Sequence, residues 1–269
     1  MMVKTKVEEA ARNAEYPLFI PFIMAGDPDP DITVELAMQL QEAGAHILEL
    51  GIPYSDPLAD GPLLQRSAAR ALEQGMSLQR AMQLVPKMRD KGVTIPVIIF
   101  TYFNPVMRMG EELFLDQVNE MGADGVLIPD LPYEESRDIE KKAAERGLAN
   151  ISLVAPTSGA RIEKIAQEAE GFLYCVSSLG VTGTRDSFPP EAYTFIEKVK
   201  ANSKAPVAVG FGISTPEQVD NLHGVCDGVI VGSAIMRKVE ECTSLMQDPE
   251  KRTKALADIK SFVSSLISS

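Results

Sequence analysis

Histidine occurs only twice in these 269 residues, cysteine three times, and no apolar run approaches the ~20 residues that a membrane-spanning helix needs. Cys175, Cys226 and Cys242 are odd in number and have no short spacing, so they outline neither a disulfide framework nor a zinc site. They fit a reducing compartment. Basic residues are also in deficit, 26 against 38 acidic, for a net charge of −12. That balance argues against nonspecific nucleic-acid binding and against anionic membranes. It would repel a phosphorylated substrate at long range, so any phosphate site must be local. The opening stretch MMVKTKVEEAARNAEYP lacks the apolar core of a signal peptide and is too acidic for a transit peptide. The expectation is a cytoplasmic protein, and the 45% apolar and 24% charged composition is that of an ordinary soluble domain.

What is present is a repeated alternation. Eight runs rich in β-branched and aliphatic residues, 18–26, 46–52, 96–103, 125–130, 150–156, 171–178, 206–214 and 228–234, read as strands. Their near-continuous hydrophobicity suits parallel strands covered on both faces. Between them lie segments of helical periodicity, such as DITVELAMQLQEAGA, LQRAMQLVPKMRDKG and YEESRDIEKKAAERG. Gly44, Gly92, Gly122, Gly147 and Gly171 are placed to close helices in the left-handed conformation. Eight strand–helix units predict an α/β fold, a (β/α)8 TIM barrel. A doubly wound sheet usually has fewer strands, and no GxGxxG follows the first one. No linker divides the chain, which reads as a single domain over 1–269, with the first dozen residues as an extra N-terminal helix capping the barrel bottom. The step between strands two and three has room for two helices.

Barrel chemistry sits at the carboxyl ends of the strands. His46 opens its strand and His223 falls late in a helix, so neither suits catalysis or metal ligation. No lysine lies in or at the carboxyl end of a strand, which removes the nucleophile of a Schiff-base aldolase. Carboxylates remain: Asp27, Glu49, Asp56, Asp60 and Asp130. Glu49 interrupts the apolar run LELGI, and alternation sets it on one side with Ile47 and Gly51. If that side faces the barrel, desolvation raises its pKa toward general acid–base use. A structural Glu paired with a buried Arg is the alternative, but no strand carries an Arg. Asp60, in PLADGP, is either a turn former or a second acid–base group, and Asp56 can equally hold its own loop. GVTG (180–183), GFGIS (210–214) and GSA (232–234) follow strands six to eight. Glycines there serve either tight turns or a phosphate cradle ending on a short helix N-terminus. Phe22, Phe100, Tyr102, Tyr174 and Phe211 lie in strands, and Tyr102 and Phe211 are best placed to wall an aromatic substrate.

The stretches FIPFIMAGDPD, ILELGIPYSDPLADGPLLQRSAARAL, TYFNPV, PDLPYEES, SSLGVTGTR and VAVGFGIS together resemble the α subunit of tryptophan synthase, from about residue 16 to residue 240. The resemblance implies a lyase that cleaves indole-3-glycerol phosphate to indole and glyceraldehyde 3-phosphate, with no metal or cofactor in this chain. It implies that Glu49 protonates the indole ring at C3 and helps remove the glycerol hydroxyl proton, and that Asp60 bonds the indole N–H. Gly183, Phe211, Gly212, Gly232 and Ser233 would then hold the phosphate. Phe22, Phe100, Tyr102, Ile128 and Tyr174 would line the indole pocket, with Thr182 meeting Asp60 on loop closure. The family also implies a pyridoxal-phosphate-dependent β subunit as partner in an α2β2 heterotetramer, contacting Pro53, Asp56, Asn104, Pro105 and Pro132. Rival readings are a free-standing indole-3-glycerol-phosphate lyase, a sugar-phosphate epimerase, and a catalytically dead barrel that only activates a partner. Intact Glu49 and Asp60 count against the last of these.

Overall fold

The computed structural model describes residues 5–176, 188–210 and 212–268. Its strands are β1 (Leu18–Met24), β2 (Leu48–Gly51), β3 (Val97–Phe100), β4 (Gly125–Leu127), β5 (Ala149–Asn150), β6 (Leu153–Val154), β7 (Leu173–Val176), β8 (Val207–Gly210) and β9 (Gly228–Val231). They pair in parallel in the order β5-β4-β3-β2-β1-β9-β8-β7-β6. The fifth predicted strand accounts for the count of nine. Its first half, β5, pairs with β4, and its second half, β6, pairs with β7. Across the break, the Ile151 N–H donates to the Val126 carbonyl at 2.9 Å, and the Ser152 carbonyl accepts from the Tyr174 N–H at 3.0 Å. One extended segment therefore bridges both ends of the sheet, which closes the expected eight-stranded (β/α)8 barrel.

The helices are α1 (Lys6–Asn13), α2 (Pro30–Glu42), α3 (Pro62–Glu73), α4 (Leu78–Met82), α5 (Leu84–Asp90), α6 (Phe103–Met109), α7 (Glu111–Glu120), α8 (Tyr133–Glu145), α9 (Ile162–Glu168), α10 (Pro190–Asn202), α11 (Pro216–Asn221), α12 (Ser233–Gln247) and α13 (Arg252–Ile267). None of them is long and apolar enough to cross a membrane, among the described residues. The periodic segments become helices for local reasons. At α2, for example, Pro30 occupies the first turn and the Asp29 carboxylate accepts the Asp31 N–H at 2.8 Å, satisfying a free donor at the helix start.

Strand alternation sorts the core into two layers. Leu18, Ile20, Ile47, Ile98, Leu127 and Phe172 point inward and pack with Val7 and Ala11 of α1, which plugs the barrel bottom as expected. Phe19, Ile23, Leu48, Leu50, Val97 and Ile99 point outward beneath the helices.

Four details depart from the sequence reading. The β2–β3 step holds three helices instead of two, because Pro86 has no N–H to bond the Met82 carbonyl and the helix breaks at Gln83 between α4 and α5. The helix after the eighth strand, α12, runs 15 residues rather than being short. The third strand stops at Phe100, so Tyr102 caps the N-terminus of α6 instead of lying in the sheet. Gly44, Gly92, Gly122 and Gly147 do close helices with positive φ, whereas Gly171, also at positive φ, closes none. Helix α9 has already ended at Glu168 with an extended Ala169, and Gly171 turns the chain into β7. A Cβ at Gly171 would lie 3.0 Å from Val7, so the glycine makes room for the bottom plug.

Candidate active site

At the carboxyl ends of the strands lies a cavity of about 200 Å³, and Phe22, Glu49, Asp60, Phe100, Tyr174, Gly212, Gly232 and Ser233 all line it. These side chains come from β1, β2, β3, β7 and the loops after β2, β8 and β9. The barrel thus gathers residues that lie up to 211 positions apart (Phe22 to Ser233) onto one wall.

Glu49 pairs in register with Phe22 on one side and Ile98 on the other, so its side chain points into the barrel. It is fully buried, and neither carboxylate oxygen has a hydrogen-bond partner among the described residues. Loss of solvation pushes its pKa from the ordinary 4.5 up to about 8. A buried carboxyl with no Arg or Lys paired to it among the described residues does not act as a structural ion pair there. It is held protonated near neutrality, as a general acid requires.

Asp60 sits in the β2–α3 loop and is 8% exposed. Burial raises its pKa from 3.8 to about 6, while the Tyr102 hydroxyl, within hydrogen-bonding reach of the carboxylate, works in the opposite direction. The loop is braced by two backbone contacts. The Ala59 N–H donates to Tyr102 Oη at 3.1 Å, and Gln65 Nε2 donates to the Asp60 carbonyl at 2.8 Å. At pH 7 this environment favours a protonated Glu49 and an ionised Asp60. One fold has set two carboxyl groups into opposite protonation states.

The apolar walls come from Phe22 and Phe100, whose rings meet edge to face with centroids 5.5 Å apart. Gly51 makes this possible, since a Cβ there would fall 2.3 Å from Phe22 Cζ. Gly212 has φ +91, a conformation that suits glycine, and Gly232 caps α12, whose first residue is Ser233. The long helix directs its amino end toward the cavity, an arrangement that favours an anion.

Tyr102 and Ile128 do not line this cavity. Tyr102 stands behind the Asp60 loop, and Ile128 borders a neighbouring depression of about 290 Å³ with Pro129 and Asp130. Thr182, Gly183 and Phe211 lie outside the described residues. Asp27, on the catalytic side in sequence, is bound instead by Arg70, through Nε and Nη2 at 2.8 Å each, and by Ser67 Oγ at 2.6 Å. Asp130 accepts the Phe103 N–H at 2.9 Å and holds the β3–α6 turn. Asp56 is exposed. His46 Nδ1 accepts the Phe19 N–H at 3.1 Å, and His223 stacks against Tyr16 with ring centroids 4.6 Å apart. Both histidines are packing residues, away from the cavity.

The sequence reading missed Leu64, Leu153, Val176 and Ile230 in the cavity wall. Val176 was within reach, because it lies two residues beyond Tyr174 on the same strand face. Leu64 was not, because its direction depends on how α3 leaves the loop.

Comparison with known proteins agrees with this geometry. The alpha chain of tryptophan synthase from Geobacillus kaustophilus is 60% identical over 250 residues, covering 93% of each chain. The alpha chain from Halalkalibacterium halodurans is 56% identical over 261 residues, 97% of this chain and 98% of its own. Among solved structures, subunit alpha from Legionella pneumophila strain Paris superposes with a TM-score of 0.86 at 36% identity, covering 98% and 97% of the two chains. A chain of the tryptophan synthase complex from Pyrococcus furiosus gives 0.80 at 34% identity, covering 92% and 96%. The sequence matches the tryptophan synthase alpha chain family over residues 9–265, and the chain belongs to that family.

Proposed function

We propose that Glu49 and Asp60 are the acid–base pair of this chain, working in a barrel that spans residues 1–269 as one domain. The reaction is that of the alpha chain, a carbon–carbon lyase of tryptophan biosynthesis that cleaves indole-3-glycerol phosphate to indole and glyceraldehyde 3-phosphate. The observation that carries the assignment is the fully buried Glu49 carboxyl, 0% exposed, facing the cavity and without a hydrogen-bond partner among the described residues.

Glu49 donates its proton to indole C3, which leaves an indolenine with positive charge on its nitrogen. The Asp60 carboxylate bonds that N–H and offsets the charge. Glu49, now a carboxylate, takes the proton from the glycerol hydroxyl next to the ring. The carbon–carbon bond breaks, its electron pair restores the indole ring, and the aldehyde forms. The net change moves one proton from the hydroxyl to C3, and Glu49 ends as it began. The protonated ring is its own electron sink, so the chain needs neither a Schiff-base lysine nor a resident cofactor.

Phe22, Phe100 and Tyr174 are proposed to hold the indole. Gly212, Gly232 and Ser233, with Gly183 and Phe211, are proposed to hold the phosphate, and Thr182 to meet Asp60. A β subunit carrying pyridoxal phosphate, in an α2β2 assembly, is the proposed partner. A groove of about 590 Å³ lined by Pro53, Asn104 and Pro105 supports this, as do Leu58 and Met107, 77% and 61% exposed. Asp56 and Pro132 are the remaining proposed contacts. A cytoplasmic location accords with the three buried free cysteines. The test is indole release from indole-3-glycerol phosphate, with and without a matching β subunit. Weak release alone that rises steeply with β supports the full reading. Full release alone points to a free-standing lyase, and none in either condition removes the activity.

A further inference from the structure

We propose that Tyr102 is a positioning residue that braces the 53–60 loop and sets Asp60 in its working place, rather than a wall of the substrate pocket. The proposal rests on the reading of Asp60 as the group that bonds the indole N–H.

Tyr102 follows β3 and caps α6, two elements anchored in the barrel, whereas Asp60 sits on a loop between β2 and α3. Its hydroxyl serves two neighbouring residues of that loop at once. It accepts the Ala59 N–H at 3.1 Å and stands beside the Asp60 carboxylate, whose pKa it lowers. With a lone pair turned to Ala59, the hydroxyl keeps its O–H available to Asp60. The Tyr102 ring stacks on Tyr54, with centroids 5.4 Å apart. Tyr54 Oη in turn accepts from Asn104 Nδ2 at 2.6 Å. Both ends of the loop are therefore tied to one aromatic pair. The phenol stays protonated, since burial and the Asp60 charge both raise its pKa. Glu49 on β2 and Tyr174 on β7 are the other titratable groups in the Asp60 field, and Asp130 after β4 faces Tyr102 itself. Tyr102 supplies the one contact among these that favours an ionised Asp60.

The experiment is steady-state cleavage across pH with the full chain, alone and with its β subunit. Tyr102→Phe keeps the ring and its contact with Tyr54 but removes the hydroxyl that holds Ala59 and stands beside Asp60. We expect kcat to fall about tenfold with KM within twofold, and the acid limb of the kcat profile to move up by about one pH unit, the shift that a lost charge-assisted hydrogen bond produces. Amide exchange at Ala59 should also quicken. Should Tyr102→Phe fold poorly, 3,5-difluorotyrosine installed at position 102 keeps the shape and strengthens the donor, and the acid limb should then move down. A structural role alone would lower thermal stability without moving that limb in opposite directions. An unmoved limb in both variants overturns the proposal. Asp60→Asn separates the two levels of inference. If it cleaves at the full rate, the reading of Asp60 fails. If it is inactive while both position-102 variants behave as the parent, only the brace fails.

Discussion

Replacing Glu49 by Gln tests the central feature of the site through stability as well as rate. The folded chain holds the Glu49 proton up to about pH 8, whereas the unfolded chain releases it near the ordinary value of 4.5. Across that window the folded state binds the extra proton, so stability falls as pH rises, at about 1.4 kcal/mol per pH unit, and levels off above pH 8. Between pH 6 and pH 8 the loss amounts to about 2 kcal/mol, after allowing for half-titration at the upper end. Glu49→Gln removes this slope. The amide brings its own cost of burial, but that cost does not vary with pH, and all other titrating groups are common to both proteins. Urea unfolding of the two proteins at pH 6, 7 and 8 should therefore show the variant gaining about 2 kcal/mol on the parent over that range. Parallel stability profiles would refute the reasoning, because they would mean that Glu49 titrates as an ordinary solvated carboxyl. The same variant should lose about 10²- to 10⁴-fold in kcat, the usual contribution of a positioned acid–base group. Retained cleavage would undo the mechanism.

The kcat/KM profile should be bell-shaped, with limbs near pH 6 and pH 8, since cleavage needs Asp60 ionised and Glu49 protonated. An activity that keeps rising beyond pH 9 would contradict that assignment. Arg70→Ala should destabilise the fold by about 3 kcal/mol, because it leaves the fully buried Asp27 carboxylate without its bidentate partner. Thermal unfolding reads this as a fall of about 10 °C, and a change under 2 °C would show that Ser67 alone satisfies Asp27.

Much of the architecture was legible in the sequence because parallel strands buried on both faces must be apolar throughout, and their periodicity breaks where helices begin. Glu49 was legible for the same reason. A carboxylate inside such a run is costly, and alternation alone assigns it to the side of Ile47 and Gly51. The glycines at 212 and 232 stood out by their place after strands seven and eight. Where sequence reasoning slipped, long-range contacts had overridden local pattern. Gly171 looked like a helix stop, yet it yields to Val7 of the distant bottom plug. The run 150–156 looked like one strand, yet two different neighbours divide it.

By itself, the sequence determined the barrel class, the catalytic face and the anomaly of Glu49, because each follows from periodicity, strand direction and the cost of a buried charge, while Asp60 stayed open between a turn former and an acid–base group. The tertiary structure alone decided which carboxylates are spoken for. Asp27 meets Arg70 43 residues away, while Glu49 meets no hydrogen-bond partner among the described residues. It alone decided that Tyr102 turns to the Asp60 loop rather than to the cavity. The physical reason is that a pKa and a hydrogen bond depend on what the closed barrel brings within a few ångströms, and adjacency in space is not written in adjacency along the chain.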